Sequence, residues 1–193
     1  LLRLGVPIGL TIFIEVSMFS VIALFLAPLG PIVIAGHQIV LNVVSLLFMV
    51  PLSLGMSLTL RVSYLVGAKQ LHLADLLAKS SLLLAASIAF VYAPLLYFGR
   101  DLIATLYTND PAVIAVAQSL VIYAAIFQIA DVIQITAISA LRGYRDTRVP
   151  MFIILFSFWV IGLPLGYVLT FTSHLTDTAQ GAVGFWIGLT IGL

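Results

Sequence analysis

Cysteine is absent from the chain, so disulfides and thiol chemistry are excluded. Charge is scarce. Only 8% of the residues are Asp, Glu, Lys or Arg, against about 25% in an ordinary soluble domain. The net charge of +1 says little about partners; nucleic acid is not expected among them. No G-x-x-x-x-G-K-[ST] loop appears, so this segment holds no ATP motor. Neither an H-E-x-x-H pattern nor a nucleophile-elbow serine is present. Enzymatic chemistry is not expected.

What the chain has instead is apolar length. Hydrophobic residues make up 63% of it, more than a soluble domain of this size can bury, so lipid must solvate much of the surface. Five spans of the needed length follow from the sequence, 4–27, 32–60, 80–98, 112–141 and 149–171, and a sixth, truncated one covers 181–193. Pro28-Leu29-Gly30-Pro31 closes the first. Pro51 and Gly162-Leu163-Pro164 mark expected kinks within the second and fifth. The segments 61–79 and 99–110 are expected as connecting stretches, with a helix start at Asn109-Asp110-Pro111. A polar loop carries His174 and Asp177. The opening LLRLGVPIGL has no initiator Met, and the closing GFWIGLTIGL stops inside an apolar run. Both edges read as cuts, and the last helix as truncated.

The eight basic residues sort by side. Arg3, then Arg61, Lys69 and Lys79, then Arg142, Arg145 and Arg148 fall on one side of an alternating chain; Arg100 alone falls on the other. The positive-inside rule places segments 61–79 and 142–148 in the cytoplasm.

Two acids interrupt otherwise apolar spans. Glu15 and Asp131 each carry an insertion cost of about 2.5–3.5 kcal/mol. Glu15 lies about 18 Å beyond Arg3, and Asp131 about 16–17 Å before Arg142, at 1.5 Å per residue. Both acids therefore sit at one height, near the middle of a ~30 Å core. Phe19 and Phe127 each lie one turn from an acid on the same helix face, and Phe48 comes at a similar height. Gln128 and Gln134 flank Asp131. Carboxylates beneath aromatic rings suit an organic cation. They also suit a small coupling ion: a carboxyl withdrawn from water can hold a proton, and sodium can be met by several oxygens. The alternative is a pair of buried acids that only hydrogen-bond neighbouring helices.

Other signals are weaker. Gln38 and Asn42 share a face and read as polar glue between helices, with a place in the substrate or ion shell as the alternative. His37 reads as an interfacial residue, and Trp159 and Trp186 as interfacial anchors, with cavity walls as the alternative. Lys69 and Lys79 read as a solvated surface beside the membrane lipids. Gly5-x3-Gly9, Gly162-x3-Gly166 and Gly184-x3-Gly188 are candidate close-packing faces.

Several motifs in order resemble a known family. Leu4-Gly-Val-Pro-Ile-Gly9 before Glu15, Ala35-Gly-His-Gln38, Arg61-Val-Ser-Tyr-Leu-Val-Gly67, Asn109-Asp-Pro111, Leu141-Arg-Gly-Tyr-Arg-Asp-Thr-Arg-Val-Pro-Met151 and Gly162-Leu-Pro-Leu-Gly-Tyr167 are similar to the multidrug and toxic compound extrusion (MATE) transporters, NorM-type branch. The resemblance covers essentially the whole chain. It implies an all-α integral membrane fold, with residues 1–193 forming the six-helix C-terminal lobe of a twelve-helix transporter of a bacterial inner membrane. An N-terminal lobe of the same chain would be its partner. It further implies export of cationic drugs in exchange for Na⁺ or H⁺, no cofactor, and Glu15 and Asp131 as the ion-binding pair. Some members carry tyrosine where Phe48 or Phe127 stands here, which removes a hydroxyl oxygen from the expected ion shell. The related rival is a lipid-linked saccharide flippase, which would favour a basic cavity. An intramembrane enzyme is the more distant one.

Overall fold

The computed structural model describes residues 2–172 and 181–193; His174 and Asp177 lie outside them. The chain is all-helical among the described residues. Helix α1 covers Leu2–Leu26 and runs into a 3₁₀ turn, Ala27–Leu29. Helices α2 (Pro31–Gly67), α3 (Leu71–Tyr107) and α4 (Pro111–Gly143) follow. The next crossing is composite: α5 (Arg148–Leu155), a π-helical stretch (Phe156–Gly162) and α6 (Leu163–Phe171). The last element is α7 (Ala182–Gly192). Five of these crossings are long and apolar enough to span a membrane; α7 is apolar but shorter.

Two expected connecting stretches are mostly helix. Segment 61–79 is α2 up to Gly67, a three-residue turn, and α3 from Leu71 onward. Segment 99–110 continues α3 as far as Tyr107. The reason is that charge ends a span without ending a helix. Arg and Lys are good helix formers, and 37 residues measure about 55 Å, well beyond a ~30 Å hydrocarbon core. The helices therefore project past the lipid. The turns after α2 and α4 close alike. Lys69 and Arg145 take positive φ (60° and 67°). Gln70 N–H donates to Leu65 O at 2.9 Å, and Asp146 N–H to Leu141 O at 3.0 Å, the six-residue closure usually made with glycine.

The start at Asn109-Asp110-Pro111 forms as expected. Asp110 Oδ1 accepts from Ala112 N–H at 2.9 Å, and Pro111 fills the first helical position. Asp110→Ala should therefore cost about 1 kcal/mol of stability, read as a lowered unfolding midpoint; Asp110→Ser should recover most of it.

Helix α4 is the centre of the bundle. It runs parallel to α2 in a fixed register. Thr59 Oγ1 donates to Ser139 O at 2.8 Å, and Ser63 Oγ to Gly143 O at 3.2 Å. Gly36, Gly55 and Gly143 let the backbones approach: a Cβ there would lie 2.6 Å from Val116, 2.4 Å from Ser139 and 2.6 Å from Val62. Helix α3 lies against both, antiparallel, and Tyr92 donates to Leu47 O at 3.3 Å. Tyr144 donates its hydroxyl to Asp75 Oδ1, joining the α4–α5 turn to α3.

That bond, with some burial and the charge of Asp75, pushes the Tyr144 phenol up from 10.0 to about 12. The neutral phenol is the form the fold favours. Its contribution is whole below pH 10.0 and is lost as pH rises through about 12. In an ultraviolet titration, Tyr144→Phe should remove the component that ionises last. Unchanged curves would show that the tie does not form.

On the other side, α1 packs on α5, and α7 packs on α6, the π-helical stretch and α4. The irregularity expected at Gly162-Leu163-Pro164 takes the form of that π-helical stretch. Pro164 has no N–H to return to the preceding turn, and widening the helix re-aims the carbonyls that proline leaves free. Two of the three glycine motifs meet here. A Cβ on Gly188 would lie 2.6 Å from Gly162 O and from Gly166 N and Cα, and one on Gly184 2.6 Å from Thr170 N. Gly5 and Gly9 meet nothing within 4 Å, so they form no close-packed face within this chain.

Candidate functional site

Between α1, α2 and α4 lies a cavity of about 560 Å³. Glu15 enters it from α1 and Asp131 from α4. Each carboxylate is half-buried. Glu15 lies within Coulombic reach of Asp131 on one side and of Arg142 on the other. No third His, Cys, Asp or Glu joins them as a metal-binding group among the described residues.

Aromatic and amide side chains complete the wall. Phe19, Phe48 and Phe127 all line the cavity. Phe19 and Phe127 meet edge to face, ring centres 6.4 Å apart. Helix α2 turns a stripe of Gln38, Asn42, Ser45 and Met49 toward the same space, and Gln134 joins from α4. These positions recur every three or four residues, the period of one helix face. Phe158 reaches in from the π-helical stretch. No Lys or Arg lines the cavity.

Gln38 and Asn42, expected as glue between helices, are exposed in the cavity and make no hydrogen bond to another helix among the described residues. Gln128 departs in the opposite sense. It is fully buried, does not line the cavity, and both its amide atoms lack partners. Geometry explains the difference. Positions three before and three after Asp131 lie about 60° to either side of it on a helix of 3.6 residues per turn. The cavity takes the Gln134 flank; the protein interior takes the other.

His37 and Trp186 are corrections too. His37 is 1% exposed and Trp186 fully buried, with ring centres 5.9 Å apart. Trp186 stands edge to face with Phe127 at 5.6 Å. It braces the cavity wall from behind rather than anchoring at an interface. Trp159 is partly exposed and donates Nε1–H to Ile14 O at 3.4 Å, one residue before Glu15. Arg142 was missed as a site residue. It is half-buried in the last turn of α4, and its charge bears on Glu15. An arginine in the last turn of a helix gives no sequence signal that its charge bears on the site.

The arrangement offers two carboxylates, amide and hydroxyl oxygens and aromatic faces in a hollow that lies within the common size range of small-molecule sites. Oxygen donors of this kind suit a hard monovalent or protonic cation, and the rings suit an organic one.

These features define a multi-pass membrane protein with an acid-bearing, aromatic-walled cavity among its helices. The family model described as MatE matches residues 7–168, and the chain belongs to that family. It is 47% identical over 191 residues to a probable multidrug resistance protein NorM of Shewanella oneidensis, covering 99% of this chain and 41% of that protein. Against multidrug resistance protein PmpM of Pseudomonas aeruginosa it is 47% identical over 193 residues, 100% of this chain and 40% of the relative. For multidrug resistance protein NorM of Vibrio cholerae the identity is 42%, over 100% of this chain and 42% of the relative. The chain thus spans about two fifths of the length of these curated relatives. Among solved structures, the fold matches an outward-facing multidrug resistance MATE family transporter of the MOP superfamily, with a TM-score of 0.85 at 17% identity, over 99% of this chain and 41% of that one. A MOP superfamily transporter from Pyrococcus furiosus matches with the same figures.

Proposed function

We propose that this chain is the C-terminal lobe of a secondary active multidrug exporter. In this reading it works with an N-terminal lobe to expel cationic drugs in exchange for Na⁺ or H⁺. The observation that carries the reading is the shared cavity: Glu15 and Asp131 face one space, beneath Phe19 and Phe127. The coupling cation binds the carboxylates, and Gln134, Asn42 and Gln38 supply further oxygens to it or to the drug. The aromatic walls hold flat organic cations without demanding one shape. Ion and drug favour opposite-facing conformations, so the loading of one promotes release of the other. The basic ends of α2, α4 and α5 face the cytoplasm of a bacterial inner membrane under the positive-inside rule. A lipid-linked saccharide flippase would need cations for its pyrophosphate, and the cavity lining contains none.

The test uses the full-length carrier in sealed vesicles with a fluorescent organic cation. Na⁺ and pH gradients are imposed separately, without ATP. Efflux is expected on one of the two gradients. A requirement for ATP, or no movement on either gradient, sinks the proposal.

A further inference from the structure

A second hollow lies on the opposite side of α2, facing α3. It consists of two adjoining troughs, of about 550 and about 150 Å³, that share Arg61 and Leu77. The sides are chiefly leucines of α2 and α3, and Val132 and Thr136 of α4 close the floor of the inner trough. Arg61 stands where the two troughs meet, with Tyr64 and Ser80 lining the outer one and Ser57, Ser81 and Thr136 the inner one. Arg61 is exposed and makes neither an ion pair nor a side-chain hydrogen bond among the described residues. Pro51 marks the inner end. From Arg61 to Pro51 is ten residues of continuous helix, about 15 Å. That is half of a ~30 Å hydrocarbon core, the depth of one leaflet.

A leucine-walled trough on the outside of a membrane protein is filled by hydrocarbon, not water. The cation where the troughs meet selects among the lipids that can fill them. Guanidinium forks phosphate oxygens with two parallel hydrogen bonds. Exposed Lys69 and Lys79 add charge near the same end of α2 and α3. Basic pockets between membrane helices are suited to anionic head groups. An organic cation would be repelled there.

We propose that this groove is a binding site for an anionic phospholipid. The phosphate is held by Arg61, and one acyl chain lies between α2 and α3 as far as Pro51. The site is separate from the acid cavity and does not depend on what that cavity transports.

The absence of cysteine from this chain gives a direct test. In a cysteine-free full-length carrier, Leu83→Cys places a label beside the groove at a position that is 72% exposed and does not line it. The label is bimane. The carrier is reconstituted in phosphatidylcholine vesicles that hold chain-spin-labelled phosphatidylglycerol or chain-spin-labelled phosphatidylcholine at equal fractions. The anionic lipid should quench with about fivefold higher apparent affinity, the factor one basic side chain supplies at such a surface. Arg61→Gln should bring the ratio to one and Arg61→Lys should keep most of it. Arg100→Gln, at the far end of α3 and paired with Asp101, should leave it unchanged. Equal quenching by both lipids in the parent, or a ratio indifferent to Arg61→Gln, overturns the proposal. Weak quenching by either lipid also overturns it, because a second copy or another protein segment then covers the groove.

Discussion

Glu15→Gln and Asp131→Asn, made separately in the full-length carrier, should each cut gradient-driven efflux by at least about tenfold, and the double substitution should do little more than either alone. The two acids face one cavity, and the charge of Glu15 bears on Asp131. Groups that act as one unit lose their function together, so the coupling free energy of the double cycle should nearly equal one single-mutant effect. The amides keep the shape and hydrogen-bonding reach of the acids. What they remove is the charge, whose insertion into hydrocarbon costs about 2.5–3.5 kcal/mol. The variants should therefore be at least as heat-stable as the parent while transporting far less. That pairing of outcomes separates the two readings of an intramembrane acid. If the acids only glued helices together, the amides would preserve that role and efflux would survive. Full efflux in both single variants, or strictly additive losses, would refute a shared ion site.

The meeting of Glu15 and Asp131 was legible because the basic anchors at the helix ends act as rulers. Arg3 and Arg142 fix a depth for each acid, and helices rise by a constant amount per residue. Phe19, Phe48, Phe127 and Gln134 followed from the same arithmetic. Depth alone does not assign a helix face. Gln128 and Gln134 are symmetric about Asp131 in sequence, and only the packing of neighbouring helices against α4 breaks the symmetry. Burial was hidden for a related reason. In a chain where nearly every position is apolar, no polar stripe marks the outside, so Trp186 and His37 carried no sign of being core rather than interfacial. The helix ends past the lipid were misjudged because hydropathy records where hydrocarbon ends, not where the backbone stops coiling. The three glycine motifs looked alike. Whether a glycine meets a partner depends on which helix lies opposite, and that is a tertiary fact.

The glycine seam between α6 and α7 yields the other large expected effect. Gly188→Ala should destabilise the protein by about 1–3 kcal/mol, the usual cost of overpacking, and Gly188→Val by more. The nearest atoms to the added carbon are Gly162 O and the backbone of Gly166, all at 2.6 Å. Backbone does not swing aside as a side chain does, so the two helices must separate. Gly192 shares the constraint, with Ser157 O at 2.6 Å. Helix propensity works in the opposite direction, since alanine gains about 1 kcal/mol over glycine in a helix interior. Gly99→Ala isolates that gain, because its added carbon meets only the flexible end of Ile103 at 3.7 Å; this variant should be neutral or slightly stabilising. Thermal unfolding of the reconstituted carrier reads both. The consequence extends to the site. Helix α7 carries Trp186, whose ring supports Phe127, and Phe127 in turn meets Phe19 across the cavity. Displacing α7 removes the backing of the aromatic wall while leaving Glu15 and Asp131 on their own helices. Gly188→Ala should thus weaken drug binding more than ion binding, measured as a larger rise in the apparent KM for the organic cation than for the coupling ion. Equal losses would place the support of the two sites in the same helix contact and remove the division of labour between the acids and the rings.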